Sequence, residues 1–223
     1  EDDVRLSDDQ AAAAAECMEF YERRRTIMFE AAEQERKKLR EAGVPAILPL
    51  VQDPIELTET YLPVDSLEYA FNDLDPLTGK RELRMIKGTT AGYIDRGLIN
   101  HDRTKAELFD WKFGLWPVEA ADNNLQGIGY TLGLCRKYPT LEEVEVYFKQ
   151  PHLGLLTHHT WKVADMRKLY LRILVAVNRA IVAREQGDFS MANPLVPNCL
   201  FCAACGVCPK VTEFCCRVGN KFH

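Results

Sequence analysis

The sequence predicts an α+β fold: a mixed, largely antiparallel sheet flanked by helices, with a cysteine-rich C-terminal segment packed on the core. Three observations predict it. A long run with apolar residues at helical spacing opens the chain, and a block of short alternating runs broken by turn residues follows. Two amphipathic segments then bracket one further alternating run. Finally, Cys199, Cys202, Cys205, Cys208, Cys215 and Cys216 crowd the end of a chain that has eight cysteines in all. At 223 residues, 47% hydrophobic and 27% charged, the composition is that of a globular protein with one sizeable core and a small appendage.

Ser7-Asp8-Asp9-Gln10 reads as a capping box, in which Ser7 caps a helix and Gln10 reaches back to it. The helical pattern runs to Arg40 and stops at Gly43 and Pro45. Cys17, Phe20, Tyr21, Ile27, Met28 and Ala31 form its apolar stripe, and Arg23–Arg25 with Lys37 and Lys38 read as a solvated face. After the proline-rich stretch 45–54, strands are expected at Ile55–Leu62, Leu67–Phe71, Arg81–Ile86, Ala91–Ile99 and Glu107–Phe113. Asp75–Lys80 and His101–Lys105 are the turns between them. Val118, Ala121, Leu125, Ile128, Leu132 and Cys135 predict a helix, Glu143–Gln150 a strand, and Met166 to Ile181 a second helix. The expected division is a long helix over 1–44, a core over 45–190 and a cysteine segment over 191–223.

A net charge of −5 argues against a passive nucleic-acid binder, which holds phosphates through a basic surface. No apolar run approaches the roughly 20 residues that span a bilayer, and no signal-peptide pattern is present. Cysteines clustered at C-x2-C spacing, rather than spread as a disulfide framework, then point to a reducing, cytoplasmic setting.

Gly92-Tyr93-Ile94-Asp95-Arg96 and Asp110-Trp111-Lys112 name a chemistry. Hydrolysis of a phosphodiester needs an activated water and stabilisation of charge on phosphorus and on the leaving oxygen. A hard divalent cation such as Mg2+ or Mn2+ supplies these when carboxylates hold it in an open site. Asp95 and Asp110 fall on neighbouring expected strands, so antiparallel pairing brings them together. Asp110 and Lys112 share one strand face, which lets the ammonium orient a water or offset negative charge. Trp111 points away but offers its backbone carbonyl as a further ligand. Taken alone, D-x-K is more often the mark of an exposed strand with alternating charge.

With Asn123, Gln126 and Tyr130 at helical spacing downstream, these segments resemble the RecB-like branch of the PD-(D/E)xK nucleases. The phage exonucleases and the CRISPR-associated RecB-like nucleases with a terminal cysteine cluster are the forms they look most like. The match runs from Gly88 to Cys208 and includes Phe148-Lys149-Gln150-Pro151. The resemblance implies a restriction-endonuclease-like core, with Asp95 and Asp110 as metal ligands and Lys112 as catalytic lysine. Gln126 and Tyr130 are then helix supports bordering the DNA. It further implies DNA as substrate, exonucleolytic action in phage or mobile-element recombination, a recombination or annealing protein as partner, and the host cytoplasm as location if the gene is phage-borne. One departure stands out. The family opens with a helix carrying a His or Glu that completes the metal site, and neither Glu16, Glu19 and Glu22 nor Glu56 and Glu59 sits in such a motif. The missing motif is expected either ahead of Glu1 or nowhere in the chain. The rival expectation is thus a catalytically incomplete nuclease fold acting as a DNA-binding or assembly subunit.

Cys199-x2-Cys202-x2-Cys205-x2-Cys208 is dense enough for a thiolate site holding Zn2+ or a [4Fe–4S] cluster. In the cluster-bearing nucleases three cysteines at C-x2-C-x5-C join a fourth from upstream. Cys199, Cys202 and Cys208 fit that spacing, with Cys17 or the local Cys205 as fourth. A third and separate reading makes the cysteines primary and the protein a redox protein. Cys135 reads as a buried apolar residue, and His101, His158 and His159 as surface or packing residues.

Overall fold

A computed structural model describes residues 7–44, 51–63, 91–186, 206 and 208–219. The strands expected at Leu67–Phe71 and Arg81–Ile86, the turn at Asp75–Lys80, and Cys199, Cys202 and Cys205 lie outside the described residues. Helix α1 spans Asp8–Glu41, followed by strands β1 (Ile55–Pro63), β2 (Ala91–Ile99) and β3 (Lys105–Trp111). Helix α2 (Leu125–Lys137), strands β4 (Glu143–Gln150) and β5 (Leu155–Lys162), and helices α3 (Met166–Gln186) and α4 (Pro209–Gly219) complete the described strands and α-helices.

The chain is α+β with a five-stranded mixed sheet flanked by helices, in the order β1-β2-β3-β4-β5. The pairs β1–β2, β2–β3 and β4–β5 are antiparallel, and β3–β4 is parallel. A parallel pair needs a crossover, and α2 supplies it. The capping box forms at Ser7: the Gln10 N–H donates to Ser7 Oγ at 3.3 Å and the Ser7 N–H to Gln10 Oε1 at 3.0 Å. Ala13, Cys17, Tyr21, Met28 and Ala32 make one buried stripe along α1.

Each face of the sheet has its own core. Leu57, Ile94, Leu108, Val146 and Phe148 cluster with Tyr130 and Leu134 of α2. On the opposite face Leu98, Phe109 and Tyr147 cluster with Tyr21 and Met28 of α1. Phe109 is fully buried at the centre of that second group. It stacks on Tyr147 at 5.2 Å and meets the edges of Phe20 and Tyr21 at 5.9 and 5.4 Å.

Alternation breaks at one line across the sheet. Leu57 and Leu62 enter the same core, as do Ile94 and Ile99, although an odd separation on a regular strand sends side chains to opposite faces. The phase change falls at Glu59, whose φ is +40°, and at Asp95. The flanking pairs Thr58–Arg96 and Thr60–Ile94 place those two residues opposite one another. A positive φ at a non-glycine residue inside a strand is uncommon and turns the side chains beyond it.

Several expectations are corrected. Val118 and Ala121 precede the helix rather than belong to it. Asn124 starts α2 by accepting from the Gln126 and Gly127 N–H groups at 2.9 and 3.3 Å, a side-chain cap that outcompetes earlier initiation. The apolar spacing at Val118 and Ala121 reflects packing: Ala121 is buried in the α2-side core and Val118 lies against it. Asn123 therefore lies ahead of α2, where its carbonyl accepts from Arg172 at 3.2 Å. Strand β5, which carries His158 and His159, has no counterpart among the expected strands, because an edge strand buries only part of its inward side chains and shows a weak alternation. Of the basic residues on α1, Arg23 is solvated but Arg24 is not: its Nε donates to Glu107 Oε2 at 2.8 Å. Arg25 Nε likewise donates to Glu56 Oε2 at 2.9 Å. These pairs tie α1 to the sheet.

The described residues fall into two compact units, one holding α1 and the sheet through Ile173 and the other the residues from Leu174 on. In the latter, Cys208 is buried, and Cys215 and Cys216 on α4 are exposed.

Candidate active site

The site lies where the β2–β3 ladder opens. Arg96 pairs with Phe109, so one step further Asp95 faces Asp110. Asp95 Oδ2 accepts the Trp111 N–H at 2.7 Å. The Lys112 N–H donates to the Lys149 carbonyl on β4 at 2.8 Å, and alternation along β3 therefore turns the backbone groups of Trp111 toward β2 and Asp95. Asp110 is buried at 5% exposure. Lys112 Nζ lies 2.8 Å from Asp110 Oδ1 and donates to Gln126 Oε1 at 2.9 Å.

Gln126 and Tyr130 sit one helical turn apart on α2 and extend this chain. Gln126 Nε2 donates to the Tyr130 hydroxyl, which donates to the Tyr93 carbonyl at 2.8 Å. Gly92 explains how the ring gets so close: a Cβ there would lie 2.6 Å from Tyr130 Cε1. Asp95, Asp110, Lys112, Gln126 and Tyr130 are thus all brought together, with the Trp111 backbone beside them.

Burial pushes the Asp110 carboxyl above the usual carboxylate range. The Lys112 ammonium works against that shift, and the Asp95 charge adds to it. Burial, followed by the Asp110 charge, pushes the Tyr130 phenol up to about 12, so it stays a neutral donor. That donor is spent on the Tyr93 carbonyl, and Asp110 Oδ2 is left buried with no hydrogen-bond partner. An acceptor in that condition costs free energy unless a proton or cation meets it. A hard cation suits the donor set. Mg2+ binds proteins through one or two carboxylates and keeps several waters, which matches Asp95, Asp110 and the Trp111 carbonyl. Among the described residues no group of three or more His, Cys, Asp or Glu side chains is arranged to hold a metal ion.

The buried carboxyl makes a stability prediction. A raised folded-state pKa means the folded protein holds this proton more tightly than the unfolded chain. The Asp110 contribution to stability is therefore lost as pH rises from the ordinary carboxylate value to the folded one. Asp110→Asn should raise the metal-free melting temperature at neutral pH by about 2–4 °C, the effect of roughly 1 kcal/mol in a domain of this size. Differential scanning calorimetry in chelator reads the sign, and a lowered melting temperature would refute it.

A second polar group lies on the α1 side of the same sheet end. Lys149, paired with Trp111 across the parallel ladder, is 9% exposed. Its Nζ lies 2.5 Å from Glu16 Oε1 and 5.7 Å from the Phe20 ring centroid. Sequence reasoning missed this pair; the available signal was a lysine directly after the apolar run Val146–Phe148, within the same strand. Of the carboxylates considered for the first-helix role, Glu16 is engaged by Lys149 and Glu56 by Tyr21 and Arg25. Glu16→Ala leaves a buried ammonium unpaired and should cost about 1–3 kcal/mol in urea denaturation, with Lys149→Met costing less. Cys17, beside Glu16, is buried, and desolvation pushes its thiol up to about 11. Cys135 is pushed up to about 11 by burial alone and packs against the α2-side core. His158 Nδ1 lies 2.8 Å from Glu145 Oε1 and its ring stacks on Tyr147, and His159 packs on Trp161 at 4.2 Å.

No family model matches this chain, and no curated protein matches it. Among solved structures, the crystal structure of SSO0001 aligns with 70% of this chain at 12% identity and a TM-score of 0.29. The alignment spans 60% of that protein's length, and a likeness of this size carries no argument about fold or function.

Proposed function

We propose that this protein is a divalent-metal-dependent DNA nuclease with a restriction-endonuclease-like core, holding Mg2+ or Mn2+ between Asp95 and Asp110. The observation that carries the reading is the buried Asp110 carboxylate, with Oδ2 unsatisfied, facing Asp95 and salt-bridged to Lys112. The order of parts supports it too: two strands carrying Asp95 and Asp110 are followed by the Gln126/Tyr130 helix and a further strand, the order in which the resemblance to RecB-like nucleases expects its motifs. A divalent cation bound here lowers the pKa of a water and stabilises charge on the phosphoryl oxygens. Lys112, steered by Gln126, holds an ammonium next to the reacting phosphate. Tyr130 braces Gln126 and pins α2 to the Gly92–Tyr93 backbone. Cleavage of end-labelled DNA in Mg2+ or Mn2+, and none in chelator, is the expected result; equal behaviour in both would overturn the reading.

We further assign Cys199, Cys202, Cys205 and Cys208 to a Zn2+ or [4Fe–4S] site that pins the C-terminal segment, its binding free energy adding to folding. Stoichiometric zinc in a colourless preparation, or visible charge-transfer absorbance, identifies which. Exonucleolytic action, a recombination or annealing partner and a cytoplasmic setting are implied by the same resemblance. Among the described residues no helix is long and apolar enough to cross a membrane. The second reading, a DNA-binding or assembly subunit with an incomplete metal site, is favoured by one observation: Glu16, on the first helix, is engaged by Lys149. Retained DNA binding without binding of divalent metal would select it.

A further inference from the structure

Among the described residues of the unit that holds the sheet, every exposed large apolar side chain except Ile27 and Val44 sits at one end of that sheet, the end that carries Asp95 and Asp110. Register shows this. Tyr61 pairs with Tyr93 at the opening of β2, and the antiparallel β2–β3 pairing brings that level with Lys112 and the loop beyond it. Leu155 pairs with Gln150 at the same end. The rim is aromatic at its centre. Tyr93 is 64% exposed and its ring lies 5.2 Å from that of Tyr61. In the loop that follows β3 and Asp110, Phe113 and Trp116 are 44% and 51% exposed. The loop that carries Trp116 is fixed from beneath. Buried Gln150 donates to the Trp116 carbonyl at 2.8 Å and accepts the Val118 N–H at 2.9 Å. The indole is therefore presented to solvent on a backbone held in place.

Among the described residues, three cations near this rim are already engaged. Lys112 pairs with Asp110 and Lys149 with Glu16, while Arg96 donates to Thr58 and lies over the Tyr21 ring. In a chain of net charge −5, phosphate neutralisation is a weak source of affinity at this rim. Flat exposed rings at the sheet end that carries a phosphodiester site offer another source: stacking on nucleobase faces. Duplex DNA hides those faces, whereas a single strand presents them.

We propose that Tyr61, Tyr93, Phe113 and Trp116 form a base-stacking rim that selects single-stranded DNA and leads it across the Asp95/Asp110 site. This rests on the nuclease reading for its substrate, but its test is separable because binding is measured in chelator, without cleavage. A fluorescein-labelled oligothymidylate is titrated against the full-length protein, beside a duplex of equal length, for wild type, Tyr93→Ala, Trp116→Ala and the double variant. The wild type should bind the single strand at least about tenfold more tightly than the duplex, and each single substitution should weaken single-strand binding about tenfold. Salt dependence should be shallow. Trp116→Phe should recover most of the affinity, which separates ring stacking from a general loss of structure; unchanged melting temperatures check the fold of each variant.

Equal affinity for duplex, absence of single-strand binding, or unchanged affinity in the double variant would overturn the proposal. So would a self-association that Trp116→Ala dissolves while single-strand binding persists, since the rim would then be an interface between copies. Aromatic-dependent binding in a protein that cleaves nothing would leave the rim standing and refute the nuclease reading. Metal-dependent cleavage with affinity and KM untouched by the substitutions would do the reverse.

Discussion

Asp110→Ala and Lys112→Ala each should lower metal-dependent DNA cleavage by about 10²–10⁴-fold while the protein stays folded. The two losses have different causes. Removing Asp110 takes away a buried carboxylate whose Oδ2 has no hydrogen-bond partner among the described residues, so metal affinity falls with rate. Removing Lys112 frees Asp110 Oδ1 from its ion pair but leaves both carboxylates, so metal binding persists or tightens while rate falls. A single-turnover assay across a Mn2+ titration separates them: the Asp110 variant should respond to added metal and the Lys112 variant should not. Two losses that are both rescued by metal would give Lys112 a role in metal binding rather than in catalysis.

Phe109→Ala should be the most destabilising single substitution on the α1 side, costing about 3–5 kcal/mol. Phe109 is fully buried and touches Phe20, Tyr21, Trp111 and Tyr147 by ring contacts. The cavity cannot close easily, because its walls belong to three elements fixed by the β3–β4 ladder and by the Arg24–Glu107 pair. Urea denaturation measures the cost. A value under about 1 kcal/mol would mean that α1 is not docked on this face as described.

The residues that carry chemistry were legible because they are constrained by geometry that leaves a mark in the sequence. Asp110 and Lys112 share a strand face through a period of two, and Gln126 and Tyr130 share a helix face through a period near four. Gly92 was legible only as a letter in a motif; its reason, a ring that leaves no room for a Cβ, requires the fold. The α1 contacts were not legible at all. Arg24 with Glu107 and Glu16 with Lys149 join residues far apart in the chain, and no local pattern distinguishes a charge that pairs across the core from one that meets water. The start of α2 was misplaced because Val118 and Ala121 keep helical spacing while packing from a loop, and the cap at Asn124 decided the boundary. The phase change at Glu59 and Asp95 was equally hidden, since alternation is read by assuming it is unbroken.

Binding of Mn2+ to the metal-free protein, counted by electron paramagnetic resonance of the free ion, tests the central claim most directly. The wild type should take up Mn2+ saturably at a site whose affinity Asp95→Ala and Asp110→Ala both lower strongly and Lys112→Ala retains. Uptake unchanged in both aspartate variants, or no saturable uptake by the wild type, would contradict it.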